Sequence, residues 1–398
     1  MRRGFTLLIA LAALAGCRHT ERHADPPVVA PPPSASAPAP SAAESSSRAA
    51  PALAPSSLPP TEFARLFRTL SGPDHAFFSD NYISNETSYL QVAKLLAKHV
   101  EAGRAYLGVG PEQNFTYIAL TRPALAFIID IRRDNALLQL LYKAIFERAK
   151  SRAGFLSLLL GRPYDASTDP GAGASVDQVI AAVQRSAPDR ALFERTHAEL
   201  VSRIRRGYDI PLDTSDRVSL ERTHRAFFDG QLALAFKLKP PNGRHYPSLR
   251  ALIEARDPAG RKLGFLANSE EFRIVQKLER ANRIVPVIGD FAGPHALRAL
   301  GKELSRRHLE VGAFYVSNVE QYLIDPPKWA AWRANVRALP TDDKSTFIRC
   351  YLDQGRRHPL QMEGQRTTTV LQPIERFEAH ASGYRSFFQV ATDGLLRD

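Results

Sequence analysis

Cysteine, methionine and tryptophan are scarce in this 398-residue chain, with two of each. Two cysteines, Cys17 and Cys350, cannot make the several bridges that hold a small secreted scaffold, and no Cys-x-x-Cys pair offers a zinc site. His-Glu-x-x-His, Gly-x-Ser-x-Gly and phosphate-loop signatures are also missing. Metalloprotease, serine hydrolase and P-loop chemistry therefore have no sequence support. The eleven histidines are scattered. His197, His224 and His295 read as surface or structural residues. Cys350 lies in an apolar stretch and reads as a buried small hydrophobe, and Trp329 and Trp332, three apart on one helix, read as packing residues.

What is present begins with the N-terminal seventeen residues, MRRGFTLLIALAALAGC. Arg2 and Arg3 precede an apolar run from Phe5 to Leu14, too short for a bilayer-spanning helix of roughly 20 residues. This is the pattern of a secretion signal. Leu14-Ala15-Gly16-Cys17 resembles the lipobox of bacterial lipoproteins, in which the cysteine is lipidated and becomes the mature N-terminus. The resemblance implies an exported protein of the cell envelope, anchored to a bacterial membrane through Cys17. Residues 18–60 are mostly Pro, Ala and Ser and read as a disordered tether, because such composition cannot bury enough apolar surface to offset its ordering entropy. Where polyproline-like, some forty residues could span on the order of 100 Å at about 3.1 Å each.

The net charge is +12 and the pI is near 9.8. Arginine supplies most of the positive charge, dispersed among Asp and Glu. An anionic envelope polymer, acidic lipid head groups or a protein partner fit such a surface outside the cytoplasm, and nucleic acid is not the expected partner.

Residues 61–150 and 283–398 have an α/β pattern. Thr61–Leu70 and Ser88–Ala102 carry apolar residues at helical spacing. Ala105–Gly110 and Ala124–Asp130 are strand-like, separated by a short helix, and Asp134-Asn135 is positioned to cap a helix over Ala136–Lys150. After residue 283 come strands at Arg283–Phe291, Val311–Val316 and Thr346–Leu352, helices at Pro294–Arg307 and Trp329–Leu339, and a last strand expected at Tyr384–Ala391. Alternating strands and helices call for a mostly parallel, Rossmann-like sheet. Residues 151–282 read as a mainly helical insertion within it. A short echo, Glu194-Arg195-Thr196-His197 and Glu221-Arg222-Thr223-His224, does not amount to a repeat.

In such sheets ligands collect at the carboxyl ends of the strands. Gly108 and Gly110 close the first strand, where glycine permits close approach of a ligand. Asp130 closes the second, with a carboxylate suited to the two hydroxyls of a ribose. Asp290 and Phe291 follow the third, and Asn318 and Glu320 the fourth. The polar loop Ser79-Asp80-Asn81…Ser84-Asn85-Glu86 has two readings: a helix cap, or a loop that folds over the first strand's end and gives hydrogen bonds to a ligand.

These residues, in this order, resemble the class I S-adenosylmethionine-dependent methyltransferase fold, over residues 103–134 and 283–352. The resemblance implies S-adenosylmethionine as cofactor. Gly108 and Gly110 would make room for it, Asp130 would hold the ribose and Asp290 with Phe291 would face the adenine. Asn85 and Glu86 would add contacts. Asn318 or Glu320 would face the methyl acceptor as the candidate catalytic residues. Tyr106 stands where that family has an acidic residue, and Glu112 where it has its third glycine. The alternative is a non-catalytic envelope-binding module on the same fold, with a degenerate pocket and no cofactor. A third reading is an enzyme acting on an envelope substrate by another mechanism.

Overall fold

The strand-like segments of both halves meet in one six-stranded sheet in the computed structural model, which describes residues 57–238, 244–353 and 355–397. The expected signal sequence, the expected lipidation site Cys17 and the expected tether as far as residue 56 lie outside the described residues. The tether expected to reach residue 60 ends earlier, because Leu58 is buried and Pro60 opens the first helix.

The elements in order are α1 (Pro60–Leu70), α2 (Ala93–His99), β1 (Ala105–Gly108), α3 (Gln113–Thr121), β2 (Leu125–Asp130) and α4 (Arg133–Arg148). A helical block follows: α5 (Arg152–Leu160), α6 (Val176–Gln184), α7 (Arg190–Gly207), α8 (Thr214–Gly230), α9 (Leu249–Ile253) and α10 (Ser269–Arg280). The sheet resumes with β3 (Ile284–Ile288), α11 (Ala296–Arg306), β4 (Val311–Ser317), α12 (Lys328–Val336), β5 (Thr346–Leu352) and β6 (Thr367–Pro373), and the chain closes with α13 (Ile374–His380) and α14 (Phe387–Thr392). No described helix is long and apolar enough to cross a membrane.

The strand order is β3-β2-β1-β4-β5-β6. The five strands from β3 to β5 are parallel, and β6 is antiparallel to β5 at the edge. This is a Rossmann-like α/β fold, interrupted between β2 and β3 by the helical block. Every residue of β1, β2 and β3 is buried. That explains their reading as unbroken apolar runs, because a parallel sheet is covered on both faces. Right-handed crossovers put α3 and α4 on one face and α11 and α12 on the other. The helical block is mounted on α4, which packs against α5, α7, α8 and α10. Its last helix, α10, also packs on α3, so the block joins the core rather than hanging from it.

Three local expectations are corrected. Residues 384–391 do not form a strand. Ser386 accepts a hydrogen bond from Gln389 N and caps α14, which begins at Phe387. The edge strand is instead Thr367–Pro373, whose threonines are buried without being apolar because the hydroxyls of Thr367 and Thr369 pair with Ser88. Asp134 does not cap α4 but accepts hydrogen bonds from Ser219 and Arg222 of α8. The Ser84–Glu86 segment caps nothing, because α2 begins only at Ala93.

His197 and His224, at matching places in the echoed tetrapeptides, are brought together on α7 and α8, their Nδ1 atoms 3.2 Å apart. His224 is fully buried, so the surface reading fails for it. Burial, then the neighbouring His197, depress its pKa to about 3, and its Nε2 faces Leu158 O. It is a neutral packing residue, and the tetrapeptides mark a helix–helix contact.

Candidate functional site

The loops at the carboxyl ends of β1 to β5 enclose a cavity of about 650 Å³, within the range of small-molecule sites. It sits where the strand order reverses between β1 and β4, the place at which open α/β sheets bind ligands. The roof comes from two distant segments. Phe77 and Phe78 stand in the loop after α1, Phe236 and Leu238 come from the helical block, and Ser79 and Leu238 form an isolated bridge between the two segments.

Gly110, Asp130, Asp290, Phe291, Asn85, Glu86 and Asn318 all line this cavity. Gly110 has a φ of +82°, and a Cβ there would meet nothing within 4 Å, so glycine serves the turn and leaves the wall open. Ser317 and Asn81 line the cavity with φ of 51° and 45°, a left-handed conformation uncommon outside glycine.

Gly108 and Glu320 are not on the wall. A Cβ on Gly108 would lie 1.9 Å from Asn114 Oδ1, so the glycine makes room for a side chain and not for a ligand. Asn114 in turn accepts from the Tyr106 hydroxyl and donates to the carbonyls of Val109, Gly110 and Pro111. Tyr106, which replaces the acidic residue of the resembled family, thus helps to fix the loop after β1. Gly108→Ala is expected to lower stability by about 1–3 kcal/mol, read by urea unfolding, because overpacking displaces this lock.

Glu320 is fully buried in an ion pair with Arg349, also buried, and accepts from Trp332 Nε1 at 3.0 Å. A carboxylate so enclosed cannot reach a methyl acceptor. Its expected catalytic role is corrected to a structural one, and Asn318 is left as the candidate at that strand end.

Asp130 lines the cavity but is already engaged. Arg132 donates to Oδ1 through its backbone N and Nε, at 2.9 and 3.1 Å, and to Oδ2 through Nη2 at 3.0 Å. The same guanidinium donates to Ser79 O and Asp80 O, tying the roof loop to the end of β2. Asp290 is the less committed carboxylate, accepting from Ala292 N at 2.8 Å.

The segment Ser84-Asn85-Glu86 does fold over the end of β1. Ser84 N donates to Glu112 Oε1, the Ser84 hydroxyl to Gln113 Oε1, and Gln113 Nε2 to Glu86 Oε2. Glu112 does not face the large cavity. It lines a separate internal space of about 30 Å³, too small for a cofactor. Burial pushes its pKa to about 7, partly opposed by the Ser84 backbone hydrogen bond. The folded state then holds a proton that the unfolded chain has lost, so this contribution to stability is full below about pH 4.5 and is lost as pH rises to about 7. Glu112→Gln is expected to remove a fall of about 3 kcal/mol across that window, measured as the difference between wild-type and variant denaturation midpoints at each pH.

Sequence reasoning missed Arg132 and the roof residues Phe77 and Phe78, which stand with Tyr322 at the mouth. Phe78 is 47% and Tyr322 42% exposed, and the three rings lie within 4.1–6.0 Å of one another. Asp-x-Arg at a strand end was the one legible signal. The aromatic cluster joins residues almost 250 positions apart and had none. Among the described residues no group of three or more potential metal ligands occurs.

One family matches, described as Domain of unknown function (DUF7790), over residues 82–169 and 174–395. The chain belongs to this family. The match takes in both halves of the sheet and nearly all of the helical block, so the block is part of the family's own domain. It also includes the cavity residues from Ile83 to Leu352. No curated protein matches the chain.

Proposed function

We propose that the cavity binds a nucleoside-bearing small molecule of the S-adenosylmethionine type, in a protein held at the cell envelope by a lipid on Cys17. The observation that carries the reading is the meeting of Gly110, Asp290, Phe291 and Asn318 around one 650 Å³ cavity at the strand-order reversal. In this reading Phe291 offers an apolar face to the base. Asp290 takes the ribose hydroxyls, because Asp130 is occupied by Arg132. S-adenosylmethionine would supply an electrophilic methyl group. The residues of this chain would bind and orient it, and Asn318 would face the acceptor.

A second reading, a binding module without catalysis, is favoured by one specific observation. Of the two acceptor-side candidates, Glu320 is sealed in an ion pair, and only the neutral Asn318 remains.

A thermal-shift series tests the proposal. Ligand at 100 times its Kd stabilises a protein by about 2.7 kcal/mol. S-adenosylmethionine and its demethylated product are expected to raise the melting temperature, and adenine alone to do so less. No shift at millimolar concentration of either would sink the cofactor assignment. A bound ligand without transfer to any envelope acceptor would favour the second reading. For the anchor, radiolabelled palmitate is expected in the wild-type chain and not in Cys17→Ser; equal labelling would refute it.

A further inference from the structure

Glu86 lines the cavity, yet only 1% of its surface is exposed. Three side chains donate to its carboxyl group. Gln113 Nε2 reaches Oε2 at 2.8 Å, while the hydroxyls of Tyr315 and Ser317 reach Oε1 at 2.7 and 2.5 Å. This is a set of partners for a carboxylate, because hydrogen bonds donated to the charged form favour it. All three donors are neutral.

No ion pair among the described residues includes Glu86. Of the three cations on the cavity wall, Arg132 is paired with Asp130, Arg244 and Lys328 are exposed, and none of them is among the groups that act on Glu86. Tyr106, Tyr117 and Cys350, which also face Glu86, carry no positive charge. A buried carboxylate without a cation is costly, and proteins pair such charges or neutralise them. Burial accordingly pushes the Glu86 pKa upward, against the hydrogen bonds from Ser317, Gln113 and Tyr315. Among the described residues, the groups around Glu86 are those of an anion, and none of them supplies its counter-charge.

We infer that the cavity takes a cationic ligand, one bearing an ammonium group, and that Glu86 receives this charge while the aromatic mouth of Phe77, Phe78 and Tyr322 holds the ligand's apolar part. The inference rests on the cavity being the ligand site, as in the proposed function, but not on the ligand being an adenosyl compound. A charged amine would supply the missing cation at Oε1 or Oε2. A neutral or anionic group of the same shape would leave it missing or add repulsion. Glu86 thereby sets specificity for charge.

Ligand-observed NMR titration of the full chain with tryptamine, tryptophol and indole-3-propionate tests this, since the three differ chiefly in the charge of one end. Tryptamine is expected to bind about tenfold more tightly than either other probe, the worth of one charge-assisted hydrogen bond. The shape-conserving Glu86→Gln should abolish that preference, so that tryptamine and tryptophol bind the variant alike. If this variant does not fold, as judged by its melting curve, Tyr315→Phe replaces it and should reduce the preference severalfold. Equal affinities, no binding of any probe, or a preference that survives the substitution would overturn the inference. A retained amine preference with no adenosyl binding would refute the cofactor assignment alone. Adenosyl binding without charge preference would refute this inference alone.

Discussion

Glu320→Ala is expected to lower the stability of the folded domain by about 3–5 kcal/mol, the cost of leaving a buried charge without its partner. Arg349 has no exposed surface, and Glu320 neutralises it directly. Gln372 and the faces of Phe347 and Phe377 complete its surroundings, none of them anionic. In thermal unfolding the loss would appear as a drop on the order of 5 °C, given the entropy of unfolding a domain of this size. Replacing both members, Glu320→Met with Arg349→Met, should recover most of it, since an apolar pair can fill such a site at little cost. A loss below about 1 kcal/mol in Glu320→Ala would contradict the structural role and reopen the catalytic one. The anchored segment, the short turn Val319–Tyr322, directly follows Asn318. The same variant should therefore also loosen one wall of the cavity.

Asp130→Ala has the second large effect, a loss of about 3 kcal/mol on the same grounds. Both partners are nearly buried, with side chains 6% and 8% exposed. The consequence is local as well as global, because Arg132 holds the carbonyls of Ser79 and Asp80. Limited proteolysis should cut the variant within residues 74–81 faster than the wild type. A ribose-binding Asp130 predicts otherwise: binding would be lost with stability and proteolysis unchanged. Those two measurements decide between the roles.

The sheet was legible because its central strands are buried on both faces and so are written as continuous apolar runs, such as Leu125–Asp130 and Ile284–Ile288. β6 was not legible. Thr367, Thr368 and Thr369 are buried through hydrogen bonding and packing, and a polar triplet in sequence gives no hint of that. The Ser386 cap was legible in principle, since a serine three residues before a glutamine marks a helix start, but the aromatic run Tyr384–Phe388 favoured a strand.

The candidate site divides in the same way. Positions fixed by strand ends, namely Gly110, Asp290, Phe291 and Asn318, follow from the order of elements and meet at the cavity. Roles fixed by tertiary partners did not follow. Glu320 meets Arg349 across 29 residues, and Glu86 meets Ser317 across 231. No local pattern announces either contact. Gly108 belongs to a third kind, where the residue type was noticed but its beneficiary, Asn114, was not.

The most direct test of the central claim is calorimetric titration of the full-length chain with S-adenosylmethionine, in wild type and in Asp290→Ala. Saturable heat with one site per chain is expected in wild type, and at least tenfold weaker binding in the variant, as when a carboxylate that receives two hydroxyls is removed. No heat at millimolar ligand, or equal affinity in both proteins, would contradict it.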